Sequence, residues 1–189
     1  MKIIESDISD VKIIELDVYP DDRGYFCETY QEYRYTSNGI HETFVQDNLS
    51  CSKKNVLRGL HFQKQNPQGK LIIAVSGEIF DVAVDIRLES PTYGKWTGVF
   101  LSDKKHRQLY VPAGFAHGFC VISDQALVNY KCTDYFNPQD NNGLIWNDPD
   151  IDIDWPVSNP IVSPRDKCLP QFKECMAEFD ISGISGPTL

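Results

Sequence analysis

Between positions 80 and 86 apolar side chains fall on every second residue: Phe80, Val82, Val84 and Ile86 alternate with Asp81, Ala83 and Asp85. A period of two sends successive side chains to opposite faces of an extended chain, so this stretch predicts a half-buried strand and excludes a helix. Runs of the same character recur at 11–18, 71–75, 96–101, 108–111, 119–122 and 126–136. Most are separated by S-G-E, E-S-P-T-Y-G, S-D-K-K-H, P-A-G and S-D-Q, whose Gly, Pro, Ser and Asp favour turns. Short strands at this spacing predict an all-β sandwich or barrel. The strand at 11–18 is expected to end in a turn, Y-P-D-D-R-G at 19–24, and F-C-E-T-Y-Q-E-Y-R-Y then reads as strand followed by short helix. F-V-Q-D-N-L-S at 44–50 reads as an apolar entry into a loop of Asx turns, and F-K-E-C-M-A-E-F at 172–179 as a short helix.

A chain of 189 residues with 41% hydrophobic and 12% aromatic content suffices for one core. We expect one domain over 1–181 and a flexible C-terminal tail at 182–189. No apolar run approaches the roughly 20 residues that a membrane helix needs. The start, M-K-I-I-E-S-D, has no apolar signal segment, so the expectation is a soluble cytoplasmic protein with no membrane partner. A net charge of −9 opposes any surface that tracks phosphates, which argues against nucleic acid, but a small anion held by a few converging cations remains compatible. Cys27, Cys51, Cys120, Cys132, Cys168 and Cys175 are scattered and include no C-x-x-C pair. This predicts reduced, mostly buried thiols rather than a disulfide framework or a zinc site.

Candidate chemistry concentrates in V-L-R-G-L-H-F-Q-K-Q-N-P-Q-G-K at 56–70. Arg58 offers a planar fork for phosphate or carboxylate, His61 a base that titrates near neutrality, and Lys70 a point charge for a developing oxyanion. The competing reading is an edge strand with solvated charges. Strict alternation would send Arg58 and His61 to opposite faces, so a shared site requires a bulge or twist, for which Gly59 is the natural place. P-A-G-F-A-H at 112–117 sets His117 just after a tight turn, able to point into a barrel mouth. That spacing matches the second half-motif of the cupin barrels, where such a His commonly binds metal. The H-x-H pair of the first half-motif is missing, since Phe62 and Gln63 follow His61, and no metal is expected. Taken singly, His117 and Tyr130 also read as core residues, and Asp166 in S-P-R-D-K as a turn residue or helix cap.

The strings D-D-R-G-Y-F-C-E, F-V-Q-D-N, V-L-R-G-L-H-F-Q, G-E-I-F-D-V-A-V-D-I-R, S-P-T-Y-G-K-W, L-Y-V-P-A-G-F-A-H-G-F and W-N-D-P-D-I-D-I-D-W-P are similar, in the same order, to the dTDP-4-dehydrorhamnose 3,5-epimerase family. The resemblance implies a cupin-type jelly roll with short peripheral helices, a homodimer, no cofactor, and a dTDP-linked 4-keto-6-deoxyhexose epimerised at C3 and C5 for dTDP-L-rhamnose and cell-surface polysaccharide synthesis. By matching position, it implies His61 as base, Asp166 as the acid paired with it, Tyr130 as proton donor on the other face of the sugar, and Lys70 near the 4-keto oxygen. Arg23, Glu28, Gln46, Asp47, Asn48, Arg58, His117 and Arg165 match positions that hold nucleotide or sugar. Phe136 stands where a Tyr often stacks on thymine, Asn141 where a Glu is common, and Arg165 in place of a Lys. These departures bear on the nucleotide more than on the reaction. The alternatives are a single-site epimerase on a related sugar, a metal-dependent cupin enzyme, and a nucleotide-sugar binder that needs neither His61 nor Tyr130.

Overall fold

The computed structural model describes residues 1–177, so the tail expected at 182–189 and the end of the helix expected at 172–179 lie outside the described residues. Strands β1 (Lys2–Glu5), β2 (Lys12–Glu15), β3 (Val18–Asp21) and β4 (Gly24–Cys27) precede helix α1 (Glu32–Thr36). The body follows as β5 (Gln46–Lys53), β6 (Val56–Gln63), β7 (Lys70–Ser76), β8 (Glu78–Asp85), β9 (Trp96–Ser102), β10 (Arg107–Val111), β11 (Phe115–Val121) and β12 (Gln125–Cys132). After it come β13 (Asn141–Gly143), β14 (Ile161–Val162), a 3-10 turn over Asp166–Cys168 and helix α2 (Phe172–Ala177). Among the described residues no helix is long and apolar enough to cross a membrane.

Two sheets form the expected jelly-roll sandwich. One runs β1-β2-β10-β7-β12-β5 and the other β13-β6-β11-β8-β9, with β14 added parallel to β6. Between them pack Ile72, Ala74, Ile79, Ala83, Leu109, Val111, Phe115, Phe119 and Val128. A second core lies outside the second sheet, where Phe80, Val82, Val84 and Ile86 are covered by Leu144, Ile151, Phe172, Cys175 and Met176. The alternation at 80–86 therefore marks a strand buried on both faces, not a half-buried one. Its apolar face lies under the C-terminal segment, and its other face looks into the sandwich. Asp81 and Asp85 are accordingly 0% exposed. The Asp85 carboxylate is satisfied by Arg87, Ser90 and Thr92 at 2.7, 2.5 and 2.6 Å.

Two further expectations are corrected. The turn at 19–24 is a hairpin in which Val18 pairs with Cys27 and Pro20 with Tyr25. This ribbon joins neither large sheet, so the missing N–H of Pro20 breaks no interior ladder. The segment 44–50 is largely strand, because β5 pairs with β12 along its whole length. Its inward positions are Gln46, Asn48, Ser50 and Ser52, which conceal a strand from any hydrophobic pattern. All six cysteines are free, with Cys120, Cys132 and Cys175 buried, whereas Cys51 and Cys168 are exposed.

Candidate active site

Gly59 shapes the site. Its φ is +123°, and the register of β6 against β11 shifts opposite it, between His117 and Phe119. A Cβ there would lie 2.6 Å from the Cα of Gly118 and 2.8 Å from the carbonyl oxygen of His117, so only glycine fits. The irregularity expected at this position is present, and Arg58 and His61 line one cavity in spite of their odd spacing. That cavity, about 750 Å³, opens between the sheets and is walled by β5, β6, β7, β11, β12 and the segment 161–166.

On one wall the Nε2 of His61 lies 2.8 Å from Oδ1 of Asp166. The backbone N–H of Asp166 donates to Ser163 Oγ at 3.0 Å, Gly59 N–H donates to Asp166 Oδ2 at 3.4 Å, and Arg165 stands 3.4 Å from Oδ1. Burial alone would push the Asp166 carboxyl up. The bond from His61, the Gly59 N–H and the charge of Arg165 together outweigh burial and hold it below the usual carboxylate range. Burial lowers the pKa of His61, Asp166 opposes that, and Lys70 and Arg165 add to the lowering, so the net shift is downward. A neutral ring donating Nε2–H to an ionised Asp166 leaves Nδ1 as its basic atom.

The facing wall comes from the other sheet. Lys70 on β7 and Tyr130 and Cys132 on β12 line the cavity, with Lys70 opposite Cys132 and Tyr130 opposite Asn48 in the strand registers. Lys70 is buried, and burial lowers its pKa against the opposing influence of Cys132 and Asp81. Tyr130 is raised by burial and by Cys132, with Arg58 opposing, so its phenol is neutral at pH 7. His117, on β11, is buried with its Nε2 2.8 Å from Asp81 Oδ1. Among the described residues no group of three or more His, Cys, Asp or Glu is placed to hold a metal ion.

The remaining residues divide. Gln46, Asn48, Arg58, Phe136, Asn141 and Arg165 all line the cavity. Arg58 Nε donates to Ser52 Oγ at 3.0 Å, and Arg165 donates to the carbonyl of Asn141 at 2.6 Å. The N–H of Phe136 donates to Gln46 Oε1 at 2.8 Å. Asp47 faces away and pairs with Lys131 at 2.9 Å. Arg23, at the tip of the β3–β4 hairpin, pairs with Asp21, and Glu28 pairs with Arg34, so neither lines the cavity of its own chain. Sequence reasoning missed Asp81, disguised as a solvent-facing position, and Gln63. The Gln63 amide donates to the carbonyls of Asn66 and Tyr135 and accepts from Asn137 N–H, anchoring the segment that carries Phe136.

The sequence model of the dTDP-4-dehydrorhamnose 3,5-epimerase family matches residues 5–174. The chain belongs to that family. A dTDP-4-dehydrorhamnose 3,5-epimerase of Methanothermobacter thermautotrophicus is 52% identical to it, spanning 92% of this chain and 95% of the relative. The crystal structure of dTDP-6-deoxy-D-glucose-3,5-epimerase from Legionella pneumophila, in complex with dTDP-4-keto-L-rhamnose, matches with a TM-score of 0.91 at 49% identity, over 94% of this chain and 95% of that one. A 3'-monoepimerase from Streptomyces bikiniensis, in complex with dTDP-quinovose, matches at 0.84 and 28% identity, over 92% and 88%. The epimerase family thus shares one fold with an enzyme named for a single centre.

Proposed function

We propose that this cavity epimerises C3 and C5 of a dTDP-4-keto-6-deoxyhexose, converting dTDP-4-dehydro-6-deoxy-D-glucose to dTDP-4-dehydro-L-rhamnose. The observation that carries the proposal is the placement of the His61–Asp166 pair and of Tyr130 on opposite walls of one cavity that Lys70 also lines. Nδ1 of His61 takes the proton α to the ketone, and the electron pair of the broken C–H bond moves to the C4 oxygen, where the Lys70 ammonium meets it. The enolate then collapses as the Tyr130 hydroxyl protonates the same carbon from the other face, and exchange with solvent resets both groups. No electrons leave the sugar, so the sequence of steps calls for no redox cofactor. Arg58, Arg165, Gln46, Asn48 and Asn141 supply donors for the nucleotide and its phosphates, Phe136 a ring for the base, and His117 a contact for the sugar.

A homodimer completes this reading. Tyr19, Tyr25 and Phe26 on the hairpin are 58%, 57% and 68% exposed, and among the described residues the hairpin pairs with no other strand of its chain. Seated against a second copy, it would cover those rings and carry Arg23 and Glu28 to the neighbouring cavity. The six free thiols fit a cytoplasmic setting.

Incubation with dTDP-4-keto-6-deoxyglucose in deuterated water tests the proposal. Label is expected at both C3 and C5, label at one carbon means a single-centre epimerase, and none rejects epimerisation. His61→Ala is expected to abolish wash-in. Tyr130→Phe is expected to keep wash-in with retained configuration while inverted product falls sharply, most of all at C5. Doubly inverted sugar formed by that variant at the parent rate would return Tyr130 to the core.

A further inference from the structure

A second histidine–carboxylate pair lies beside the first and has no part in the steps above. His117 is opposite His61 in the β11–β6 register, and its Nε2 is 2.8 Å from Asp81 Oδ1. Asp81 is 0% exposed, and its other oxygen, Oδ2, is buried with no hydrogen-bond partner among the described residues. A carboxylate so placed is costly unless opposite charge stands close. Lys70 lines the same cavity as His117 and is buried too, and the charge of Asp81 opposes the lowering that burial imposes on its ammonium. No ion pair within 4.0 Å joins the two. A direct salt bridge would occupy the N–H donors that a forming oxyanion needs, whereas a carboxylate acting from farther away sustains the charge and leaves the donors free.

We infer that Asp81 is a positioning residue for the ketone end of the site: it fixes the His117 ring through Nε2, so that Nδ1 is the atom left to the substrate, and it balances the Lys70 ammonium where the enolate oxygen forms. The inference rests on the epimerase reading. The other titratable groups around Lys70 do not replace Asp81. Cys132 is a thiol kept neutral by burial, Tyr130 is a neutral phenol, and His61 is disfavoured as a cation by burial and, to a lesser degree, by Lys70 itself.

Asp81→Asn keeps the shape and an acceptor for His117 while removing the charge, and it is compared with the parent in kinetics and deuterium wash-in. The expected result is a fall in kcat of about tenfold or more with KM changed less than about threefold, because the loss falls on the transition state. The alkaline limb of the pH profile moves to lower pH, since Lys70 without Asp81 surrenders its proton more readily. In a Lys70→Gln background the same substitution costs less than about threefold, as coupled residues require. A folded Asp81→Asn with the parent kcat and alkaline limb, or a full additive loss in the Lys70→Gln background, overturns the inference while leaving the epimerase reading in place. A parent that exchanges no deuterium overturns both. Should Asp81→Asn fail to fold, the 13Cε titration of Lys70 in the parent, assigned by its loss in Lys70→Gln, decides. An ammonium is expected at pH 7, and a neutral amine there overturns the inference.

Discussion

Asp166→Asn removes the charge behind His61 and leaves the local shape intact. Asp166 Oδ1 accepts from His61 at 2.8 Å, and the Asp166 side chain is only 6% exposed, so the bond is charge-assisted and shielded. Such bonds contribute about 1.5 to 3 kcal/mol. The bond strengthens as His61 becomes imidazolium, so the loss falls on the transition state, and at about 1.4 kcal/mol per decade it predicts a kcat lower by roughly 10- to 150-fold. The carboxamide oxygen at Oδ1 still accepts from Arg165 and the backbone N–H of the residue still donates to Ser163 Oγ, so the segment stays held although the Gly59 N–H loses its acceptor at Oδ2. The pH profile carries a sign as well. In the parent, Asp166 opposes the burial, Lys70 and Arg165 that lower the pKa of His61. Without that opposition the pKa falls further, the neutral base persists to lower pH, and the acid limb of kcat/KM moves down while the plateau drops. Stability follows the opposite partner: the depressed Asp166 stabilises the fold above the unfolded pKa of about 3.9 and loses that contribution as pH falls through its lower folded value. Deuterium wash-in followed by NMR across the acid limb measures the first two effects. A plateau within about twofold of the parent, or an acid limb displaced upward, refutes the role given to Asp166.

Two further outcomes are expected. Sedimentation should give a dimer in which Arg23→Ala raises the dTDP dissociation constant about tenfold without altering the assembly, and an unchanged constant in a demonstrated dimer would remove Arg23 from the site. Gly59→Ala should destabilise the fold by about 2 kcal/mol or more, because the added Cβ meets backbone at 2.6 Å in a conformation L residues avoid, and an unmoved urea midpoint would show that β6 and β11 can separate there.

Periodicity reveals that a segment has two faces but not which of them meets water, and this explains most of what the sequence concealed. At 80–86 the strand was legible, yet its apolar face turns outward under Leu144, Ile151 and Phe172, which leaves Asp81 pointing into the sandwich. At 46–52 the inward face is Gln46, Asn48, Ser50 and Ser52, so a paired strand looked like a polar loop. Both arise because the end of this sandwich interior is a cavity lined by many polar side chains rather than a closed hydrocarbon core, so the inward residues there are the ones that spoil the hydrophobic pattern. Gly59 was legible for the converse reason: Arg58 and His61 could share a site only if the chain departed from regular pleating between them, and only glycine stood there. The His61–Asp166 pair lay beyond any local pattern, since 105 residues separate its members, and it was anticipated from family resemblance alone. Its physical cause is a parallel pairing of only two residues, Ile161 with Val56 and Val162 with Leu57, which lays the segment before Asp166 along β6. From Val162 the chain needs four residues to reach Asp166, and from Leu57 it needs four to reach His61. Matched offsets from one short ladder bring the carboxylate to the imidazole, with the Gly59 N–H between them as a third point of attachment.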